Sequence, residues 1–318
     1  MKLKQFKRKA AACTVALTVT LALSLSTFTA TQAADTYAKT KYPVVLVHGL
    51  LGFDAIGPIN YFYGVPSALR NSGAVVFTPN VSQANSTELR GEQLLQQLRS
   101  LKAQYGYAKF NLVGHSHGGN TARYVAAVAP DLVASVTSVG TPHAGSKTAD
   151  GIASFADAAH VTGLAVAVVD GLASLISFFS GSASNPQSSF AALQSLSTAG
   201  AADFNRRFPQ GAPTSACGQG AEVVNGVRYY SYGGTSVLTN VLDVSDALMA
   251  AGGLFFGFEQ NDGLVGKCSS HWGKVIRDDY PWNHLDEVNQ AFGLRGLFSP
   301  DPVAMYRAQA NRLKSLGL

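Results

Sequence analysis

Gly114-His115-Ser116-His117-Gly118 is the segment of this sequence best equipped for covalent chemistry. It fits G-x-S-x-G, the spacing of a tight strand-to-helix turn that pushes a serine hydroxyl outward. Side chains at the flanking positions would collide, so the turn needs Gly114 and Gly118. The helix N-terminus that follows supplies free N–H groups and a positive dipole end, which suits a developing oxyanion. The chemistry implied is attack of Ser116 on an acyl carbonyl.

Serine is a weak nucleophile unless a base and an orienting acid assist it. With this turn, the chain order is Ser, then Asp or Glu, then His. Of the seven histidines, His160, His271 and His284 lie well beyond Ser116. His160 falls in a long apolar stretch and His271 close behind Cys268. His284 sits in Trp282-Asn283-His284-Leu285-Asp286, which reads as a loop opening a helix. Asp262, in Asn261-Asp262-Gly263-Leu264-Val265, stands in a turn after an expected strand, where an orienting carboxylate belongs. Asp243 and Asp246 precede that strand, and any one of these acids could serve as a turn or cap residue. Spacing favours Asp262 with His284 and leaves the other pairings open. His143, in Thr141-Pro142-His143-Ala144-Gly145, reads as a structural loop histidine near a strand end.

The elements that must hold these residues follow from hydrophobic patterning. Residues 43–47 form a continuous apolar run ending in His48-Gly49, the mark of a buried strand. Residues 74–77, 110–113 and 132–139 repeat that pattern, and residues 227–232 and 254–258 are further expected strands. Residues 87–105 place Leu94, Leu95, Leu98 and Leu101 at helical spacing, with Thr87 able to start the helix. Residues 120–129 form a small-residue helix stopped by Pro130, and residues 294–316 show helical periodicity to the end. Strands alternating with helices over short connections predict an α/β class with a mostly parallel sheet covered on both faces. Residues 150–200 break the rhythm: 161–179 are too apolar for a solvent-facing helix. They are read as a mobile cover whose apolar side faces a site or an interface, with a core helix as the alternative.

Composition narrows the function classes. The 318 residues are 47% hydrophobic and only 14% charged, which excludes a disordered chain. Five of the 24 Lys and Arg lie in residues 1–9, and no acid precedes Asp35. The rest therefore carries 19 basic against 19 acidic residues, a balance that gives no support to nucleic-acid binding. The cationic start, a charge-free apolar run to about residue 25 and a small-residue end predict a signal peptide over 1–34, cleaved after Ala33 or Ala34. The run is too short and too interrupted for an integral membrane anchor. Without Cys13, Cys217 and Cys268 remain, and an even count in an exported chain favours a disulfide. No G-x-G-x-x-G follows the first strand, so nothing points to a dinucleotide.

Together these segments resemble the secreted true lipases of Pseudomonas type, family I of the bacterial triacylglycerol lipases. The resemblance runs along essentially the whole of residues 35–318. It is carried by Lys41-Tyr42-Pro43, His48-Gly49-Leu50-Leu51-Gly52-Phe53, Gly114 to Gly119, Asn261 to Gly266, and Asn283-His284-Leu285-Asp286-Glu287-Val288-Asn289-Gln290. It implies an α/β-hydrolase fold with Ser116 as nucleophile, His284 as general base then acid, and Asp262 as its partner. It places the oxyanion hole at the backbone N–H groups of Leu50 and His117, and pairs Cys217 with Cys268. It also implies one structural calcium ion, Ca2+, with Asp243 and Asp286 as carboxylate ligands and the carbonyls of Gln290 and Leu294 completing the shell. A lid over about residues 159–182, a dedicated foldase and secretion to the extracellular space through the periplasm are further implications. The substrate expected is triacylglycerol at an oil–water interface. A carboxylesterase for short soluble esters is the alternative, and a lipid-binding protein with a silent hydrolase fold is the non-enzymatic one.

Overall fold

A parallel sheet buried on both faces is the centre of the structure, a computed structural model that describes residues 35–50, 52, 55–56, 59–156 and 185–318. Strand β1 (Val44–Val47) shows why the sheet is covered on both sides. Its pleat sends Val44 and Leu46 into one apolar cluster and Val45 and Val47 into the other. Chain order continues with a small hairpin, β2 (Ala55–Ile56) and β3 (Ile59–Asn60), then α1 (Val65–Asn71) and β4 (Val76–Phe77). Next come α2 (Thr87–Tyr105), β5 (Phe110–His115), α3 (His117–Val128), β6 (Val133–Val139) and α4 (Lys147–Ala156). After the undescribed residues follow α5 (Ser189–Leu196), α6 (Thr198–Arg207), β7 (Val223–Val224) and β8 (Val227–Gly234). The chain closes with α7 (Asp246–Gly253), β9 (Lys274–Tyr280) and α8 (Pro302–Ser315).

The sheet order is β4-β1-β5-β6-β8, with β9 parallel and the short β7 antiparallel on β8. This is the architecture expected from the alternating pattern. Leu94, Leu95 and Leu98 of α2 and Ala122, Val125 and Ala126 of α3 fill one side of the sheet. Val65 and Leu69 of α1 and Met305, Tyr306 and Ala310 of α8 fill the other. Helix α2 spans the residues expected, but Ser86 caps it, accepting from the Leu89 N–H, and Gly106 ends it in the left-handed region at φ 74°. The Thr87 hydroxyl is instead paired with the His117 ring.

Two expected elements differ. Residues 254–258 are no strand: Leu254–Phe256 continue α7 as a 3-10 turn, and Gly257 at φ 60° reverses the chain. An apolar run without alternation, set between glycines, does not distinguish the two outcomes. The last helix starts at Pro302 and not at 294, because Pro300 and Pro302 lack N–H donors and the Asp301 carboxylate caps from the Val303 N–H. The signal peptide expected over 1–34 and the lid expected over 159–182 lie outside the described residues. No helix among the described residues is long and apolar enough to cross a membrane.

Leu98 is fully buried between α2 and the sheet. Leu98→Ala should cost about 2–5 kcal/mol of stability. The drop is read from the urea midpoint at unchanged slope, and an unchanged midpoint would contradict the packing described.

Candidate active site

Ser116 sits between the last residue of β5 and the first of α3, with φ 56° and ψ −131°. That conformation is costly for a residue with a side chain and persists only where the surroundings enforce it. Here they do. A Cβ on Gly118 would stand 2.1 Å from the Val47 carbonyl oxygen, and one on Gly114 would stand 2.3 Å from the Gly118 carbonyl. The Ser116 N–H is bound by the Val139 carbonyl at 2.9 Å, which fixes the turn to β6.

His284 is reached from the far end of the chain. Its Nδ1–H donates to Asp262 Oδ2 at 2.7 Å, and its backbone N–H donates to the Asp262 carbonyl at 2.8 Å. The other Asp262 oxygen accepts from the N–H groups of Leu264 and Val265 at 2.9 and 2.7 Å. The carboxylate is thus immobilised by the turn itself, and it fixes the imidazole tautomer with Nε2 free of hydrogen. Ser116 and His284 open onto one cavity of about 420 Å³, lined chiefly by apolar side chains such as Ile152, Leu193, Leu196, Met249 and Leu264.

The two residues expected to supply oxyanion N–H groups are Leu50 and His117. Leu50 lines the same cavity, and His117 is the first residue of α3. Arg90 was not singled out by sequence reasoning, yet it is fully buried. Its guanidinium donates to the carbonyls of His48 and Gly49, to the backbone of Ser82 and Gln83, and to the Thr121 hydroxyl. Burial pulls its pKa down to about 9, so it stays a cation at neutral pH. The Gly49 carbonyl also accepts from His48 Nδ1 at 2.9 Å and from the Gly52 N–H at 3.3 Å. In a trans peptide the C=O and the next N–H point in opposite directions. Holding the Gly49 oxygen inward therefore turns the Leu50 N–H outward.

Behind His284 lies a second network that spacing did not reveal. Glu287, three residues on, accepts from the Gly234 N–H at 2.7 Å, and its other oxygen meets His115 Nε2 at 3.2 Å. His115 Nδ1 meets the Tyr61 hydroxyl at 2.6 Å. Burial, then the Asp262 charge, pushes the Glu287 carboxyl well above its usual range, while burial holds His115 well below its own. Both shifts disfavour the charged forms, and the contact is a hydrogen bond. Glu287 Oε2 comes within 3.9 Å of His284 Nδ1. Among the described residues, His115, His284 and Glu287 also form the one compact group of metal-ligand atoms. The His115–Glu287 hydrogen bond and the Asp262–His284 hydrogen bond account for that proximity.

A second pair of acids is buried on the loops around His284 and α7. Asp243 and Asp286 are almost fully buried, and Asp243 Oδ2 and Asp286 Oδ1 have no hydrogen-bond partner. Burial, then the charges of Asp243 and Asp246, pushes Asp286 up to about 6. Asp246 differs, for its oxygens accept from Thr239, Asn240 and Asn283. Gln290 and Leu294 follow on the loop after His284. The remaining candidates lie elsewhere. Cys217 and Cys268 are joined. His271 pairs with Gly218 and Asp278, and His143 accepts from Arg123 and stacks on Trp272. His160 lies outside the described residues.

A family model for the alpha/beta hydrolase fold matches residues 42–288. The chain is 54% identical to a triacylglycerol lipase of Vibrio cholerae over 89% of this chain and 90% of that protein. It is 45% identical to a triacylglycerol lipase of Pseudomonas fragi over 89% of this chain and all of that one. Among solved structures, a Staphylococcus hyicus lipase aligns with TM-score 0.61 at 18% identity, covering 87% of this chain and 97% of that one. At that identity the likeness concerns the fold.

Because burial disfavours the charged form of Glu287, Glu287→Gln should leave the charge beneath His284 nearly unchanged. The acid limb of the kcat/KM profile should move by less than about 0.3 pH units. A downward shift of about one unit would mean that Glu287 is ionised in the resting protein.

Proposed function

Because the chain belongs to the α/β-hydrolase family and, within it, to the bacterial triacylglycerol lipases, we propose that Ser116, His284 and Asp262 perform its hydrolysis of acylglycerol esters. The observation that carries this reading is the opening of Ser116 and the Asp262-bound His284 onto one apolar cavity. Ser116 Oγ attacks the acyl carbonyl as His284 Nε2 takes its proton. Asp262 stabilises the imidazolium and keeps its Nδ1–H in place. The carbonyl oxygen, now an oxyanion, rests on the N–H groups of Leu50 and His117. Each such donor typically lowers the barrier by about 3 kcal/mol. His284 returns the proton to the departing alcohol, leaving the acyl group on Ser116, and water repeats the attack to free the acid. An apolar cavity suits a long acyl chain, whose burial gains roughly 25 cal/mol per Å².

Calcium fits the residues present. Two buried carboxylate oxygens without donors, on Asp243 and Asp286, offer the hard oxygen ligands this ion takes. The carbonyls of Gln290 and Leu294 would complete the protein shell. Bound there, the ion would supply positive charge that neutralises the acid pair. Asp286 is two residues from His284, so its fixation holds the loop that carries the base. A signal peptide over residues 1–34, secretion through the periplasm, a mobile lid over residues 159–182 and a foldase partner complete the proposal. They rest on the sequence pattern and on resemblance.

The test is hydrolysis of emulsified triolein by the mature chain, with Ser116→Ala as control. Activity on triolein, lost by at least about 10³-fold in Ser116→Ala, is expected. Turnover confined to soluble short esters would favour the carboxylesterase alternative. Separately, a calcium chelator should lower both the melting temperature and the activity, and readdition of calcium should restore them. Insensitivity of both would remove the ion from the account.

A further inference from the structure

A second cavity, of about 360 Å³, shares no lining residue with the acyl cavity. Pro213, Ala216, Trp272 and the Cys217–Cys268 disulfide give it apolar walls, in which His143 and His271 also stand. Residues 214–217 of the wall are exposed, so the cavity opens to solvent. The segment that follows β6 runs between the two cavities. Pro142 and Ser146 line the acyl cavity, and His143 and Ala144 line the second.

The polar side chains of this wall can be followed atom by atom. Both ring nitrogens of His271 are engaged, Nδ1 by the Gly218 carbonyl at 3.0 Å and Nε2 by Asp278 at 2.9 Å. The Trp272 indole N–H donates to the Gln210 carbonyl at 2.8 Å. The Asn205 amide donates to the His143 carbonyl at 2.6 Å and accepts from Arg123 at 2.9 Å. His143 differs. Its Nδ1 lies 3.0 Å from a guanidinium nitrogen of Arg123. A guanidinium carries donors only, so Nδ1 is the acceptor and the ring hydrogen sits on Nε2. Burial, then the Arg123 charge, disfavours a second proton on the ring. Nε2 is buried and has no hydrogen-bond partner among the described residues. A buried donor left open in a cavity wall is costly, and an acceptor brought into the cavity would relieve it.

Charge decides which acceptor suits the place. Arg123 of α3 is buried, with its guanidinium carbon 3.3 Å from the centre of the Trp272 ring. Its hydrogen-bond partners are the side chains of Asn120, His143 and Asn205 and the Phe208 carbonyl, none of them an acid. Its Nε has no partner among the described residues. The acids of neighbouring elements are committed elsewhere, Asp203 of α6 to Arg206 and Arg207, and Asp278 of β9 to His271 and Lys267. A buried cation without a counter-charge favours an anion beside it. The same charge, and the hydrogen on Nε2, work against a metal ion.

We propose that this cavity is a second binding site, for a small monocarboxylate. One carboxylate oxygen accepts from His143 Nε2, and the short apolar part packs on Trp272 and the disulfide. One open donor backed by one unpaired cation matches a single negative charge, and apolar walls suit a short tail better than a bare halide. The inference goes beyond the lipase reading and does not rest on it.

The test is titration of the mature chain, labelled with 15N-histidine, with sodium butyrate, read from the ring resonances of His143. A saturable shift of Nε2 is expected, with half-saturation roughly in the millimolar range. Butyramide, the neutral isostere, should bind at least about fivefold more weakly. Sodium chloride at matched ionic strength should not reproduce the shift. A His143 resonance that stays still, or drifts without saturating, overturns the site. Equal binding of butyramide overturns the assignment to a carboxylate. A saturable response at His284 with none at His143 places the acid in the acyl cavity and overturns it as well.

Discussion

Backbone crowding at one turn sets the geometry of the whole site. β1, β5 and the start of α3 approach so closely that neither Gly114 nor Gly118 has room for a Cβ. That approach holds Ser116 in a conformation it would otherwise leave, and it places His117 at a helix N-terminus with free N–H groups. The same crowding requires a sheet that is already packed on both faces, because only a rigid support can sustain such strain. Fold and nucleophile are consequences of the same contacts.

Electrostatics then separates one reactive imidazole from its surroundings. Burial first holds the pKa values of His115, His117 and His48 down, and burial pushes the Glu287 carboxyl up beside them. Among the described residues, Asp262 is the one carboxylate hydrogen-bonded to His284, and its oxygens are all engaged by donors. Arg90 is a buried cation, and its guanidinium is taken up by backbone carbonyls, those of His48 and Gly49 among them. A charge placed there orients peptides without competing for the acyl oxygen. One oxygen of Asp243 and one of Asp286 lack a donor, the feature that supports the calcium site proposed above.

Parts of this were legible in residues alone. The G-x-S-x-G turn, the order of Ser116, Asp262 and His284, and the alternation of strands and helices are local patterns with direct steric or hydrophobic causes. Arg90 was not legible, since it reads as one more charged residue on an amphipathic helix. Its partners are backbone carbonyls, which carry no sequence signature. Glu287 was hidden for the converse reason: its partners His115 and Gly234 are distant in the chain. The segment 254–258 misled because an apolar run between glycines fits a turn as well as a strand. The final helix starts later than its apolar periodicity suggests, because two prolines delay it.

Peptide mapping of fluorophosphonate labelling tests the central claim most directly. A strained turn that presents one hydroxyl to an Asp262-held imidazole predicts label on the peptide containing Ser116 alone. It further predicts loss of that label in His284→Ala at unchanged fold. Label on another residue, or an undiminished labelling rate in His284→Ala, would contradict the account.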